Sequence, residues 1–197
     1  MKTLIIAEKP SVGRDIAGAL DGVFQKRMLA DLSPKAKKGG KDDPTFLESD
    51  DYVITWAVGH LVQLAEPEEY DEKWKKWRMK DLPIVPPDGF KLVPRDAKSK
   101  KQLKLVATLL NREDVEHVVN ACDAGREGEL IFAYLYESVF GVAPNHPDAP
   151  KPVERLWISS MTKQAIREGF EKLRPGEQLQ PLESAARARS EARSPYP

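Results

Sequence analysis

An α/β fold, with a mostly parallel sheet flanked by helices, is what this sequence predicts, and three observations predict it. Short apolar runs at residues 3–7, 52–58, 115–122 and 153–158 have the length and β-branched content of buried strands. Between them lie segments with helical spacing, long enough to cross over a sheet. Two of the runs end in acidic turns, and in an open parallel sheet ligands bind outside the carboxyl ends of the strands.

Taken in order, residues 3–7 stop at Glu8-Lys9-Pro10-Ser11, where Ser11 is placed to cap a helix carrying Val12, Ile16 and Leu20 every four residues. Residues 33–44 are rich in Pro, Gly and Lys and predict an exposed loop. A second strand at 52–58 (YVITWAV) leads into Gly59-His60-Leu61, and residues 66–95 form an extended, proline-punctuated excursion containing Trp74 and Trp77. A helix follows from about Asp96 to Asn111, with Leu103, Val106, Ala107 and Leu110 on one face. The strand at 115–122 ends in the turn Asp123-Ala124-Gly125-Arg126-Glu127-Gly128-Glu129, and a helix is expected over 130–139. A proline loop at 144–152 precedes the strand at 153–158. Ser160 or Thr162 then caps a helix bearing Ile166, Phe170 and Leu173, and residues 181–193 form a last amphipathic helix.

Composition narrows the function. The 197 residues are 41% hydrophobic and 31% charged, a globular balance. The longest apolar stretch, 130–136, is far short of the roughly 18–20 residues of a membrane span. Cys122 is the only cysteine, which excludes an internal disulfide and a cysteine-built zinc site and makes a reducing, cytoplasmic setting the expectation. Net charge is zero, but its distribution is uneven. Residues 42–72 hold ten acids and no Lys or Arg, whereas 73–104 hold eleven Lys or Arg against three acids. Such a basic stretch either follows a phosphate backbone or is a solvated, salt-bridged surface. Trp74 and Trp77 among those lysines either stack on unpaired bases or pin the loop to the domain.

Chemistry concentrates at the strand ends. If the strands ending at Glu8 and Cys122 are neighbours, Glu8, Asp123 and Glu127 share one rim, and three carboxylates repel unless a cation joins them. Hard oxygen ligands select Mg²⁺, which fills its remaining positions with water and phosphate oxygens. Lys9 and Arg126 are placed to hold a phosphate, Arg126 alternatively to pair with an acid. In the competing structural reading, Glu127 and Glu129 only complement the positive end of a helix. His117 falls within a strand and is expected to be structural, Cys122 to be a small buried residue, and Gly39-Gly40-Lys41-Asp42 lacks the Ser or Thr of a phosphate-binding loop.

Together these motifs resemble the Toprim domain of type IA DNA topoisomerases, and their order resembles the bacterial topoisomerase III branch. The resemblance rests on Glu8-Lys9-Pro10-Ser11, Ala57-Val58-Gly59-His60-Leu61, Leu64-Ala65-Glu66-Pro67, Lys73-Trp74-Lys75-Lys76-Trp77-Arg78, the 123–130 turn, and Arg155-Leu156-Trp157-Ile158-Ser159-Ser160-Met161-Thr162. It extends from residue 2 to about 191. It implies a Rossmann-like Toprim domain over residues 1–160, with 161–197 beginning an adjoining helical DNA-binding domain. It also implies an isomerase that cleaves, passes and reseals single DNA strands, active on single-stranded DNA or DNA with single-stranded regions, in the cytoplasm on the nucleoid or plasmids.

By position, Glu8 matches the family's first acid, a proton donor and metal neighbour. Asp123 and Glu127 match the outer acids of its Asp-x-Asp-x-Glu motif. Lys9 matches the lysine that stabilises the transferring phosphate, and His60 falls in a turn that orients loops or phosphates. Two departures stand out. Gly125 replaces the middle acid, which removes a carboxylate and is expected to permit a positive φ. No tyrosine of this chain sits in a usable nucleophile context: Tyr196-Pro197 lacks the Arg-Thr that should follow. The expectation is a truncated Toprim portion, inactive alone and partnered by the enzyme's C-terminal domains. The rivals are a stand-alone Toprim nuclease or primase-like enzyme and a non-catalytic DNA-binding fragment.

Overall fold

A computed structural model describes residues 1–32, 40, 42–76, 78–81, 84–86 and 89–193. Most of the lysine-rich loop, Trp77 and Tyr196 lie outside the described residues. The chain runs β1 (Lys2–Ala7), α1 (Pro10–Ala19), β2 (Gln25–Met28), β3 (Thr45–Glu48), β4 (Tyr52–Trp56), β5 (Val62–Leu64), β6 (Leu92–Pro94), α2 (Ala97–Leu110), β7 (Val115–Ala121), α3 (Arg126–Phe140), β8 (Val153–Arg155), α4 (Lys163–Glu171), β9 (Arg174–Pro175) and α5 (Gln180–Arg193).

Among the described residues, seven strands form one sheet in the order β2-β3-β4-β1-β7-β8-β9. Its centre is parallel: β1 pairs with β4 on one side and with β7 on the other, and β7 pairs with β8. Both margins are antiparallel, so the sheet is mixed rather than parallel throughout. The central strands are buried on both faces, as continuous apolar runs require. Leu4 and Ile6 enter a core with Leu105 and Leu109 of α2 and Ile131 and Leu135 of α3. Ile5, pointing oppositely, joins Ile16 of α1 and Ile166 of α4.

Several local expectations change. Helix α1 starts at Pro10, preorganised for the first helical position, with Lys9 as the cap residue, so Ser11 lies within the first turn and is not the cap. Strand β4 stops at Trp56 because Val58 and Gly59 both take positive φ, 55° and 78°. The buried face of α2 is built from Leu105, Val106, Leu109 and Leu110, rather than from Leu103 and Ala107. Asp96 caps that helix, its side chain accepting from the Ser99 N–H at 2.7 Å. Helix α3 begins four residues earlier than its apolar run suggests, and β8 is shorter, ending at Arg155. Thr162 caps α4 through the Ala165 N–H.

The 66–95 excursion is folded back: β5 and β6 pair antiparallel at its base, and short 3₁₀ turns occupy its outer part. There Trp74 is half-buried, with the Lys73 ammonium 4.7 Å above its ring and bound to Asp71 at 2.7 Å. His117 lies on β7 as expected, but its side chain is exposed. The helices after residue 161 pack onto the same body, α4 against α1 and α5 against α3. None of the helices among the described residues is long and apolar enough to cross a membrane.

At the opposite edge of the sheet from the acidic turns' carboxyl ends, the nearly buried Glu48 accepts from Arg112 at 2.6 Å, Lys2 at 3.0 Å and Arg27 at 2.5 Å. Burial pushes its carboxyl up, but these three cations outweigh burial and hold it below the usual glutamate range. A carboxyl depressed on folding adds stability above its unfolded value and loses it as pH falls through the folded value. Chemical denaturation followed by circular dichroism should show Glu48→Gln destabilised at neutral pH by about 1–3 kcal/mol. The variant should also lose less stability than wild type below about pH 4.

Candidate active site

Parallel pairing of β1 with β7, in register from Ala7 and Ala121, delivers Glu8 and Asp123 to the same edge. The Asp123 N–H donates to Glu8 Oε2 at 3.3 Å. The Lys9 ammonium lies between the two acids, 3.1 Å from Asp123 Oδ2 and 3.4 Å from Glu8 Oε1. Asp123, with Glu8 behind it, holds that ammonium above the ordinary lysine value. Glu8 is largely enclosed, its side chain 12% exposed, whereas Lys9 and Asp123 are more than half exposed.

Glu127, the second residue of α3, hydrogen-bonds His60 through Oε1 and Nε2. The His60 turn is itself tied to β1, since Ala57 N–H donates to Ala7 O at 2.9 Å and Gly59 N–H to Glu8 O at 3.3 Å. Val58, β-branched and at positive φ, stores strain in that turn, a feature often found beside functional residues. Thus Glu8, Lys9 and Asp123 meet directly, while Glu127 is paired with His60. Glu8 and Asp123 share the Lys9 ammonium, Glu127 has the His60 imidazole, and among the described residues no three metal-ligating side chains are drawn into one group. Arg126 is exposed and makes no ion pair among the described residues. It lines, with His60, Asp123 and Glu127, an open cleft of about 990 Å³ that continues between β5, α3 and α5 to Arg189 and Ser190.

Two glycines in the acidic turn have different duties. Gly125 has φ 167°, extended backbone open to any residue, and a Cβ there meets nothing within 4 Å. The expected positive φ at Gly125 is therefore wrong: only its missing carboxylate distinguishes it. Gly128 is the constrained position, because a Cβ would stand 2.0 Å from the Asp123 carbonyl oxygen. Glycine is what lets the first turn of α3 close onto the residue that presents Asp123.

Sequence reasoning named Arg155 only within a longer motif and assigned it no part. It is 1% exposed. Its guanidinium binds the Glu129 carboxylate through Nε and donates to the carbonyls of Asn120 at 3.0 Å, Cys122 at 2.7 Å, Leu156 at 2.7 Å and Asp123 at 2.8 Å. Burial pushes the Glu129 carboxyl up, against the pull of Arg155. An Arg at a strand end, eight residues before the helix that Thr162 caps, carries no periodic signal of burial. Cys122 beside it is buried, and burial raises its thiol, which makes it an inert packing residue. Burial likewise raises the phenol of Tyr134, the tyrosine that lines the cleft, opposite to what a nucleophile needs.

Residues 3–161 match the Toprim domain family. The chain is 45% identical over 192 residues to DNA topoisomerase 3 of Staphylococcus haemolyticus and 44% identical over 191 residues to that of Bacillus subtilis. These alignments cover 98% and 97% of this chain but 23% of each relative, so the chain spans about a quarter of their length.

The two glycines give a paired test by thermal unfolding. Gly125→Asp should melt within about 2 °C of wild type, as exposed substitutions do. Gly128→Ala should melt several degrees lower, because a backbone carbonyl must move. Arg155→Met should be worse still, losing about 3–5 kcal/mol by leaving Glu129 buried without its cation.

Proposed function

This chain belongs to the Toprim family, and from that membership we propose that it supplies the phosphate-handling portion of a type IA, topoisomerase III-like enzyme. The observation that carries the reading is the contact of Glu8, Lys9 and Asp123 at adjacent strand ends, an ammonium suited to a phosphodiester and its developing charge beside carboxylates suited to a divalent cation and to proton transfer. Support comes from the two relatives named DNA topoisomerase 3, aligned along nearly all of this chain.

Each residue has a proposed part. Lys9 faces the phosphate as a mobile point charge. Glu8, mostly enclosed and fixed by the Asp123 N–H, is the group placed to give and take a proton at the leaving oxygen. Arg126 and His60, on the cleft wall, contact the strand's backbone, with Glu127 orienting His60. The carboxylate oxygens of Glu8 and Asp123 fit Mg²⁺ and would select it over softer metals, and Glu127 would join them only on leaving His60. Bound there, Mg²⁺ would neutralise phosphate charge.

Single-stranded DNA, or DNA with single-stranded regions, is the proposed substrate. The exposed lysines of α2 (Lys98, Lys100, Lys101 and Lys104) offer a further sequence-independent hold on its backbone. The attacking tyrosine would come from other domains of the same enzyme, with residues 161–197 as the passage toward them. A cytoplasmic setting on nucleoid or plasmid DNA follows from such a substrate.

Substitution of this chain for the corresponding segment of the Bacillus subtilis relative tests the reading. The chimera should relax negatively supercoiled plasmid in Mg²⁺, the chain alone should not, and Glu8→Gln in the chimera should lower the rate by about 10²–10⁴-fold. A chimera indifferent to Glu8→Gln would show that the chemistry lies elsewhere.

A further inference from the structure

We propose that Lys9 is an exchangeable counter-ion: its ammonium fills the place between Glu8 and Asp123 that a divalent cation would take, and an arriving cation pushes it out toward the phosphate. The inference rests on the metal reading given above and adds a regulation of that site.

Geometry supplies the first argument. The ammonium is within 3.4 Å of one carboxylate and 3.1 Å of the other, a bridging position rather than a one-sided ion pair. Two carboxylates at adjoining strand ends repel each other, and a positive charge between them removes that repulsion. A divalent cation does the same with twice the charge and more coordination, so the two compete for one location.

The backbone supplies the second. Lys9 is locked at its Cα, as the cap residue of α1 with Pro10 next in line, and its carbonyl accepts from Gly13 N–H at 3.1 Å. Its side chain is 55% exposed, and so is that of Asp123 at 56%. Exposed ion pairs are weakly held and easily exchanged. A fixed root with a free, flexible stem lets the charge leave without disturbing Glu8, which stays tethered by the Asp123 N–H.

The exchange couples two events. While Lys9 neutralises the acids, the site is less open to a cation, and the ammonium is less available to a phosphate. Entry of the cation frees the ammonium for an anion above the cluster, and by linkage an anion that draws Lys9 away strengthens cation binding.

Magnesium titration calorimetry on the chain, at constant ionic strength, tests this without reference to strand cleavage. Lys9→Met should bind Mg²⁺ about tenfold more tightly than wild type, the gain expected when an occupant filling the site nine-tenths of the time is removed. Arg126→Met, which takes a positive charge from the same turn without touching either acid, should change the affinity less than about twofold. Equal gains in the two variants, or no gain in Lys9→Met, overturn the proposal, since Lys9 would then act only as a distant charge or not at all. Glu8→Gln separates the two levels. If it weakens Mg²⁺ binding while Lys9→Met leaves it unchanged, only the exchange is refuted. If Glu8→Gln has no effect, the metal assignment falls and the exchange with it.

Discussion

A single buried guanidinium organises the strand ends on which the site depends. Arg155 sits at the end of β8 and satisfies the carbonyl of Asn120 near the end of β7, those of Cys122 and Asp123 just beyond it, and the carboxylate of Glu129 on α3. Parallel strands that end at an open edge leave their terminal carbonyls without ladder partners. A loop exposed to water would satisfy them loosely. A planar, always-charged fork does so rigidly, from inside, and fixes how the 120–123 segment leaves the sheet. Glu129 neutralises the fork, and the Asn120 amide reaches Glu129 at 3.4 Å while its oxygen accepts from the Cys122 N–H at 3.1 Å. The network is closed, which is what a buried charge demands.

On that footing each acid of the active edge has a basic partner. Lys9 serves Glu8 and Asp123; His60 serves Glu127. The arrangement explains how several carboxylates can gather at one rim of a chain whose net charge is zero. It also separates roles by exposure: Glu8 is enclosed and fixed, Asp123 and Lys9 are open and adaptable. The strained Val58-Gly59 turn belongs to the same design, since its hydrogen bonds to β1 set His60 at the mouth of the cleft.

How legible was this? The parallel centre was plain, because a strand buried on both faces must be continuously apolar, and runs such as TLIIA and VITWAV are. The margins were not. Strand β2 is QKRM, polar and partly exposed, and β5 and β6 have three residues each, too few for any period to show. Helix α3 was truncated in the sequence reading because its first turn is Arg-Glu-Gly-Glu, polar where it lines the cleft. Among site residues, Glu8, Lys9, Asp123, Glu127, His60 and Arg126 were all singled out from motif and strand-end position. Arg155 was not, since a burial that depends on three carbonyls of the distant 120–123 segment leaves no mark on its neighbours in sequence.

Sequence by itself determined the fold class, the family and which polar residues cluster along the chain, because apolar periodicity and short motifs are local properties. Tertiary structure alone decided which charge faces which. The neighbourhood of β1 and β7 brings Glu8 to Asp123 across 115 positions, and that of β4 brings His60 to Glu127 across 67. It also decided that Gly128, rather than Gly125, is the indispensable glycine. Coulomb and contact forces act through space, and their strength is set by distances that exist only once the strands have paired.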